Sequence, residues 1–437
     1  MKTKEVFNNA KWIIVCKIAQ SILQLIIGMI SARYLGPANY GLISYAGSIV
    51  AFALPIMKLG FDATLVYELV ENPDKEGEIM GTSLGLNIFS SILCMGGVAL
   101  FASVANFGQT ETIIVCVLYS ISIFFAALEM IQYWFQHKLL SKYSSVIMLV
   151  SYLVVSAYKI FLLATQKSIY WFALSHSVEY GVIAILLIVF YYKKGGKRLK
   201  FSFSIIGKML NRSKYYILAA LMIVVIQNTD HIMITKMIGE AENGFYAAAI
   251  TCAAMAQFVF TAIMDSFRPL ILSKKKENEI EYEKNVSRLY GIICYLAILQ
   301  SVTFTLFAPI IVKILYGSEY AATIPILQIL TWYSCFSYMG TVRNIWLLAE
   351  EKQKYLPAIN FTGVVLNIAM NAFMIPMWGA CGAALASLLT QLLMNFVLGF
   401  IFKPIRKNNM LMLKGLAPKF FVKELRVTIK EVLKKEK

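Results

Sequence analysis

Long apolar stretches follow one another along almost the whole chain, and this feature limits the possible folds more than any other. A backbone that leaves water must satisfy its hydrogen bonds within its own segment, so a stretch of about 20 apolar residues predicts a membrane-spanning helix. About twelve such stretches occur, at residues 12–33, 40–60, 80–106, 112–134, 143–164, 169–192, 215–238, 244–267, 289–316, 321–348, 355–377 and 379–402. With 59% hydrophobic and 15% charged residues, the composition differs from that of soluble domains. We therefore expect an all-α, polytopic membrane protein.

Lysine and arginine are unevenly divided between the two sides of this predicted topology. Of the 41 lysines and arginines, 34 fall at the N-terminus, in alternate connections or in the C-terminal tail, and four fall on the opposite side. Cytoplasmic loops carry the excess of positive charge, so both termini are predicted to lie in the cytoplasm. Contact with anionic lipid headgroups accounts for the net charge of +17 without a nucleic-acid partner.

A glycine turn between the first two spans has a counterpart about two hundred residues later. Gly36, Pro37 and Gly41 in LGPANYG correspond to Gly239 and Gly244 in IGEAENG, an offset of 203 residues. A tight outer turn between antiparallel helices requires φ values that favour glycine. The offset predicts two parallel six-helix lobes, as in alternating-access carriers. They would cover residues 1–200 and 201–403, followed by a basic amphipathic cytoplasmic tail at residues 404–437.

Polar and charged side chains inside the predicted spans are costly in lipid, so they are functional candidates by default. Lys17, Gln20 and Gln24 share one face of the first span, at positions i, i+3 and i+7. His176 and Glu179 form an i, i+3 pair in the sixth span. That pair predicts either a proton or ion site or a structural pair with a lysine of the adjacent span. The deeper candidates in later spans are Asn228, Asp230 and Arg343.

Signals for enzymatic chemistry or metal binding are weak. The three histidines are isolated, the seven cysteines lack metal-ligand spacing, and no phosphate-cradling glycine-rich loop or nucleophile motif occurs. We expect neither an enzyme nor a metal or organic cofactor.

Four stretches of the chain resemble a known family. ARYLGPANYGLISYAGSI, NTDHIMITKMIGEAENGFYAAA, LYGSEYAATIPILQILTWY and WGACGAALASLLTQ are similar to sequences of the Wzx-type repeat-unit flippases of bacterial polysaccharide synthesis. These flippases belong to the multidrug/oligosaccharidyl-lipid/polysaccharide (MOP) exporter superfamily. The resemblance implies twelve helices in two lobes around a central cavity in the bacterial cytoplasmic membrane. It also implies transport of undecaprenyl-diphosphate-linked oligosaccharides for O-antigen, capsule or exopolysaccharide.

This substrate suggests roles for the polar candidates. A diphosphate in a low-dielectric cavity needs cationic partners, which Lys17, Arg33 and Arg343 would supply. Gln20, Gln24 and Asn228 would bind sugar hydroxyls. Asp230, His176 and Glu179 would couple transport to H⁺ or Na⁺. Partners of the same pathway would be a polymerase and a chain-length regulator.

Two other functions remain open from the sequence. One is a cation-coupled exporter of drugs or other small molecules with the same fold. The more distant one is a membrane polysaccharide polymerase, which usually needs a large outer loop that this chain lacks.

Overall fold

The computed structural model describes residues 3–424, with side chains from Val15 onward except at residue 276. Within that part of the chain every regular element is helical. The α-helices are α1 (Thr3–Lys58), α2 (Phe61–Glu71), α3 (Glu76–Ala105), α4 (Thr110–Leu128), α5 (Gln132–His137), α6 (Ser141–Ala164), α7 (Ile169–Lys193), α8 (Ile206–Met237), α9 (Glu240–Ala253), α10 (Gln257–Glu277), α11 (Glu279–Leu315), α12 (Thr323–Ala349), α13 (Leu356–Leu392), α14 (Leu398–Ile401) and α15 (Arg406–Leu416).

The helices confirm an all-α, polytopic membrane protein. Nine stretches of the described chain are long and apolar enough to span a membrane. Two of these stretches are bent, at Gly36 in α1 and at Trp378 and Gly379 in α13, where the backbone leaves helical geometry. Each bent stretch covers two of the predicted spans. The remaining predicted span is α12, which has 27 residues.

The chain divides into two compact units, Met1–Gly244 and Phe245–Lys437. Helix α8 packs against α1 and α2 and so belongs to the first unit. This division follows packing, whereas the predicted boundary at residue 200 follows the sequence repeat. The two lobes at residues 1–200 and 201–403 therefore remain a prediction from the sequence repeat.

One core of the first unit surrounds a buried tryptophan. Trp134 is 1% exposed and packs edge-on against Phe135 and Tyr191. Its indole N–H donates to Glu76 Oε1 over 2.8 Å, and the other carboxylate oxygen of Glu76 lies 2.7 Å from Lys138 Nζ. The carboxylate therefore enters this apolar core with both of its oxygens paired.

In the second unit the C-terminal helix packs against the protein. The face of α15 that carries Asn408 and Met412 is buried, and Asn408 accepts a 2.9 Å hydrogen bond from the hydroxyl of Tyr290 on α11. Farther along the tail, Phe421 stacks on Tyr295 at 4.2 Å between ring centroids. The part of the predicted amphipathic tail at 425–437 lies outside the described residues.

Charged side chains connect the ends of four helices of this unit. Lys275 of α10 lies 2.7 Å from Glu350, just after α12, and 2.9 Å from Glu279 at the start of α11. Lys407 of α15 lies 2.8 Å from both Glu279 and Glu283. Hydrogen bonds to these two carboxylates raise the pKa of the Lys407 amine above its ordinary value. The cluster holds a positive charge on α15 beside α11.

The two glycine turns recognised in the sequence pack directly against each other within the first unit. Gly36 (φ 71°) and Gly239 (φ 114°) adopt the left-handed backbone that favours glycine. Gly41 and Gly244 have a different reason to be glycine. A Cβ added to Gly41 would overlap the carbonyl oxygen of Glu240, and one added to Gly244 would overlap that of Pro37. The second glycine of each turn permits close backbone contact.

An asparagine joins the two turns by hydrogen bonds. Asn243 is fully buried and donates from Nδ2 to the Gly41 carbonyl over 2.8 Å. Its Oδ1 lies 2.7 Å from His231 Nδ1 on α8. The amide therefore links the first turn, the second turn and α8.

Gly41→Ala is expected to lower the thermal stability of the purified protein. The added methyl group must displace backbone rather than a side chain, which we expect to cost about 2 kcal/mol or more. The measurement is the melting temperature in detergent, monitored by fluorescence-detected size-exclusion chromatography. The matched control is Gly28→Ala in the same helix, where an added Cβ meets nothing within 4 Å. Equal melting temperatures for the two variants would contradict the close-contact explanation.

Candidate functional site

A polar cleft lies between α10 and α12 in the second unit. Its volume is about 170 Å³. One wall is a stripe of α10 at positions i, i+4, i+8 and i+11, formed by Gln257, Thr261, Asp265 and Arg268. The opposite wall carries the polar side chains of Ser337, Tyr338 and Thr341.

Charge in this cleft is concentrated at the Arg268 end. Arg268 Nη1 lies 4.0 Å from Asp265 Oδ1, and these side chains are 52% and 63% exposed, respectively. An exposed pair at this separation is weakly held, so the guanidinium can exchange its carboxylate for another anion. Hydroxyls and an amide at the other end can donate to and accept from neutral hydroxyl groups. The cleft can therefore bind a ligand with both an anionic and a polyhydroxylated part.

Sequence reasoning missed this set as a site. Asp265 lies near the end of the predicted span at residues 244–267, and Arg268 lies just beyond it. A usable signal was present, because Gln257, Thr261 and Asp265 repeat every four residues in an otherwise apolar stretch. The sequence could not show that the polar residues of α12 face this stripe.

In the first unit the predicted pair of α7 comes together. His176 Nδ1 lies 3.8 Å from Glu179 Oε2, and their side chains are 32% and 15% exposed, respectively. The Tyr119 ring of α4 lies 4.7 Å from the His176 ring. Lys159 of α6 also interacts electrostatically with Glu179. The arrangement offers a carboxylate and an imidazole that can share a proton or contact a cation, and it also contains the predicted lysine partner.

The remaining candidates of the first unit lie on α1 and α8. Lys17, Gln24 and Arg33 are exposed on α1, and Gln20 is half-buried. On α8, Asn228 donates to the carbonyl of Val224 one turn earlier, over 3.1 Å. Asp230 is only 5% exposed. Their roles in binding and coupling remain predictions.

Arg343 on α12 is buried and faces backbone. It is 5% exposed, and its Nη1 donates to the carbonyl of Met394 over 2.9 Å. Met394 lies in a short π-helix, Leu393–Val397, that follows α13. Because a π-helix turn changes the carbonyl pairing of the backbone, the arginine finds an acceptor inside the protein. In this conformation the guanidinium stabilises helix packing, and its predicted contact with substrate remains a prediction.

A second polar group that sequence reasoning missed is buried in α13. Asn371 donates to Asn367 Oδ1 over 3.1 Å, and Asn367 donates to Ser387 Oγ over 3.1 Å. All three residues are at most 5% exposed. Asn367 and Asn371 are one turn apart, a spacing that could have been recognised, whereas Ser387 reaches them only because α13 bends at Gly379.

Comparison with known proteins gives one family and one fold. A family model described as "Polysaccharide biosynthesis protein" matches residues 30–325. No curated protein sequence matches the chain significantly.

Among solved structures, a lipid II flippase, MurJ in an inward closed conformation, aligns with a TM-score of 0.73 and 15% identity over 94% of this chain and 92% of that one. An inward-facing MATE family multidrug resistance transporter aligns with a TM-score of 0.62 and 12% identity, over 93% and 95%. A mutant MATE transporter from Vibrio cholerae aligns with a TM-score of 0.58 and 12% identity, over 94% and 98%. The fold is therefore the one that these transporters share, as predicted.

Arg343→Lys is expected to lower thermal stability even without substrate. Lysine keeps the charge but lacks the planar fork of donors, so we expect a loss of about 1 to 3 kcal/mol from weakened pairing at the Met394 carbonyl. The measurement is the melting temperature of the purified protein. The matched control is Arg268→Lys, because Arg268 is exposed, and its melting temperature should stay within error. An unchanged melting temperature for Arg343→Lys would contradict the packing role of its guanidinium.

Proposed function

We propose that this chain, which belongs to the polysaccharide biosynthesis protein family, is a flippase for undecaprenyl-diphosphate-linked oligosaccharide repeat units. The observation that carries the proposal is the family match over residues 30–325. It is supported by a fold similar, over nearly the whole chain, to that of a lipid II flippase. The substrate would pass from the cytoplasmic to the outer leaflet by alternating access.

The α10–α12 cleft has the chemistry that such a substrate needs. Arg268 would pair with a diphosphate oxygen, since guanidinium forms strong charge-assisted hydrogen bonds with phosphate. Thr261, Ser337 and Thr341 would exchange hydrogen bonds with sugar hydroxyls. Lys17 and Arg33 would supply further positive charge on α1. These contacts would replace water around groups that cannot cross hydrocarbon by themselves.

Transport would be coupled to H⁺ or Na⁺ through the acidic groups of the first unit. Glu179 with His176 is our preferred site, because it combines a carboxylate with a titratable imidazole in contact range. Asp230 on α8 is the second site. No organic cofactor is needed for this mechanism.

The proposal also includes the setting of the protein. It would span the bacterial cytoplasmic membrane with both termini in the cytoplasm, as the distribution of lysine and arginine favours. There it would supply repeat units to a polymerase and a chain-length regulator for O-antigen, capsule or exopolysaccharide.

A cation-coupled exporter of drugs or small molecules is the second candidate. The observation that favours it is the similarity of the fold to MATE transporters. An exporter would leave lipid-linked sugars unaffected, so one experiment separates the two functions.

Deletion of the gene is expected to trap completed lipid-linked repeat units on the cytoplasmic face of the membrane. The measurement is extraction of undecaprenyl-diphosphate glycans after treating intact spheroplasts and inverted vesicles with a membrane-impermeant glycosidase. Trapped glycans would resist the enzyme in spheroplasts and be cleaved in inverted vesicles. Normal amounts of glycan on the outer face would overturn the flippase proposal in favour of the exporter.

Arg268→Gln is expected to slow repeat-unit translocation about tenfold or more, because a charge-assisted hydrogen bond to phosphate is worth about 1.5 to 3 kcal/mol. The measurement is surface polysaccharide in the complemented deletion strain, normalised to protein level. The control is Arg406→Gln, which removes an exposed arginine at the start of α15. Equal polysaccharide from both variants would remove Arg268 from the substrate site while leaving the proposed function to the deletion experiment.

A further inference from the structure

The connection between α7 and α8 is an extended strap, residues 196–202, that lies along α3. The backbone N–H of Lys200 donates to the Gly77 carbonyl over 2.9 Å. The N–H of Ser202 donates to Thr82 Oγ1 over 3.0 Å. These contacts fix the path of a segment that has no helical hydrogen bonds of its own.

A row of glycines on α3 makes room for the strap. Gly77, Gly81 and Gly85 are spaced four residues apart and face the same side of the helix. A Cβ at Gly77 would lie 2.5 Å from the Arg198 carbonyl oxygen, and one at Gly81 would lie 2.5 Å from the Lys200 backbone nitrogen. At Gly85 it would lie 2.8 Å from the Phe201 ring. The strap therefore rests on the bare backbone of α3.

The strap and its flanks display positive charge and aromatic rings. The exposed cations are Lys193, Lys194, Lys197, Arg198 and Lys200. Phe201 is 47% exposed and Phe203 is 82% exposed, with ring centroids 5.0 Å apart. The nearby carboxylate of Glu76 is already paired with Lys138. Lys197 Nζ donates over 3.1 Å to the carbonyl of Pro73, which is a neutral acceptor.

The strap must lie at the membrane surface. The membrane-spanning stretch of α7 ends at Lys193, and the next spanning stretch begins at Phe203. Aromatic rings are favoured at this depth, and clustered Lys and Arg next to a span attract anionic lipids.

We propose that the strap is a binding site for the phosphate-bearing headgroups of anionic membrane lipids. The five cations contact the headgroup phosphates, and Phe201 and Phe203 insert beside them into the interface. Because α3 holds the strap backbone in place, the cations are preorganised, and binding loses less conformational freedom than on a mobile loop. This interaction is independent of any transported substrate.

The test is lipid binding by the full-length protein in detergent. Titration with phosphatidylglycerol is compared with phosphatidylcholine, using native mass spectrometry and the melting temperature as readouts. The strap variant replaces all five cations by glutamine: Lys193→Gln, Lys194→Gln, Lys197→Gln, Arg198→Gln and Lys200→Gln. The control variant makes the same charge change at exposed tail positions: Lys403→Gln, Arg406→Gln, Lys414→Gln, Lys419→Gln and Lys423→Gln.

We expect the strap variant to bind phosphatidylglycerol at least about tenfold more weakly than the unmodified protein, since each basic residue near an anionic surface adds attraction. The control should change less than about twofold, because its cations are spread over residues 403–423 and are not held together on the glycine row of α3. Equal weakening in both variants would overturn the proposal, because it would show diffuse charge attraction without a site.

A second variant tests the aromatic part without changing charge. Phe203→Ser alters a side chain that is 82% exposed, so folding should be unaffected, and binding of phosphatidylglycerol should weaken at least about threefold. Unchanged binding would overturn the proposal.

Farnesyl diphosphate is the probe for the competing source of phosphate. If it displaces phosphatidylglycerol from the strap and binds there more tightly, the site belongs to a prenyl diphosphate, and the membrane-lipid proposal fails. No displacement supports the proposal.

Discussion

Every peptide group that leaves water must find its hydrogen-bond partner nearby, and in a lipid-spanning chain this constraint determines nearly everything else. Helices satisfy it within one segment, so all regular elements between residues 3 and 424 are helical. Bends occur where glycine permits unusual dihedral angles, as at Gly36 and Gly379. Side chains add hydrogen bonds at the bends, and Asn39 donating to the Leu35 carbonyl beside Gly36 is one example. Buried polar side chains are therefore expected wherever these helices bend.

The need for a nearby hydrogen-bond partner also applies to charged side chains that are buried. Glu76 is buried but has partners on both oxygens, and buried Arg343 donates to a backbone carbonyl. In contrast, Asp265 and Arg268 are exposed and weakly paired. A charge held by partners inside the protein contributes to packing, whereas an exposed charge remains free to bind a ligand. This difference, rather than residue type, makes the α10–α12 cleft the better candidate site.

Much of the fold could be predicted from the sequence, because hydrophobic length alone identifies a span. The polysaccharide biosynthesis family could also be predicted, since stretches such as LGPANYG resemble sequences of polysaccharide flippases. The packing of the two glycine turns could not, because it depends on contact between residues two hundred positions apart. The α10–α12 cleft needed the relative rotation of two helices, which periodicity does not specify. The packing partner of Arg343 could not be predicted either, because it is the backbone carbonyl of Met394, which a sequence does not reveal.

The π-helix at Leu393–Val397 has a further consequence, which concerns how sequence positions map to helix faces. A π-turn contains one residue more than an α-turn, and one residue corresponds to a rotation of about 100° around the helix axis. Residues after Val397 therefore point in directions shifted from those that a continuous helix from Gly379 would assign. Deleting one residue here would remove the shift, and inserting one more would double it. Either change would rotate the following segment about the helix axis. The π-turn thus divides one apolar stretch into two segments, and the helical periodicity of each segment must be read separately.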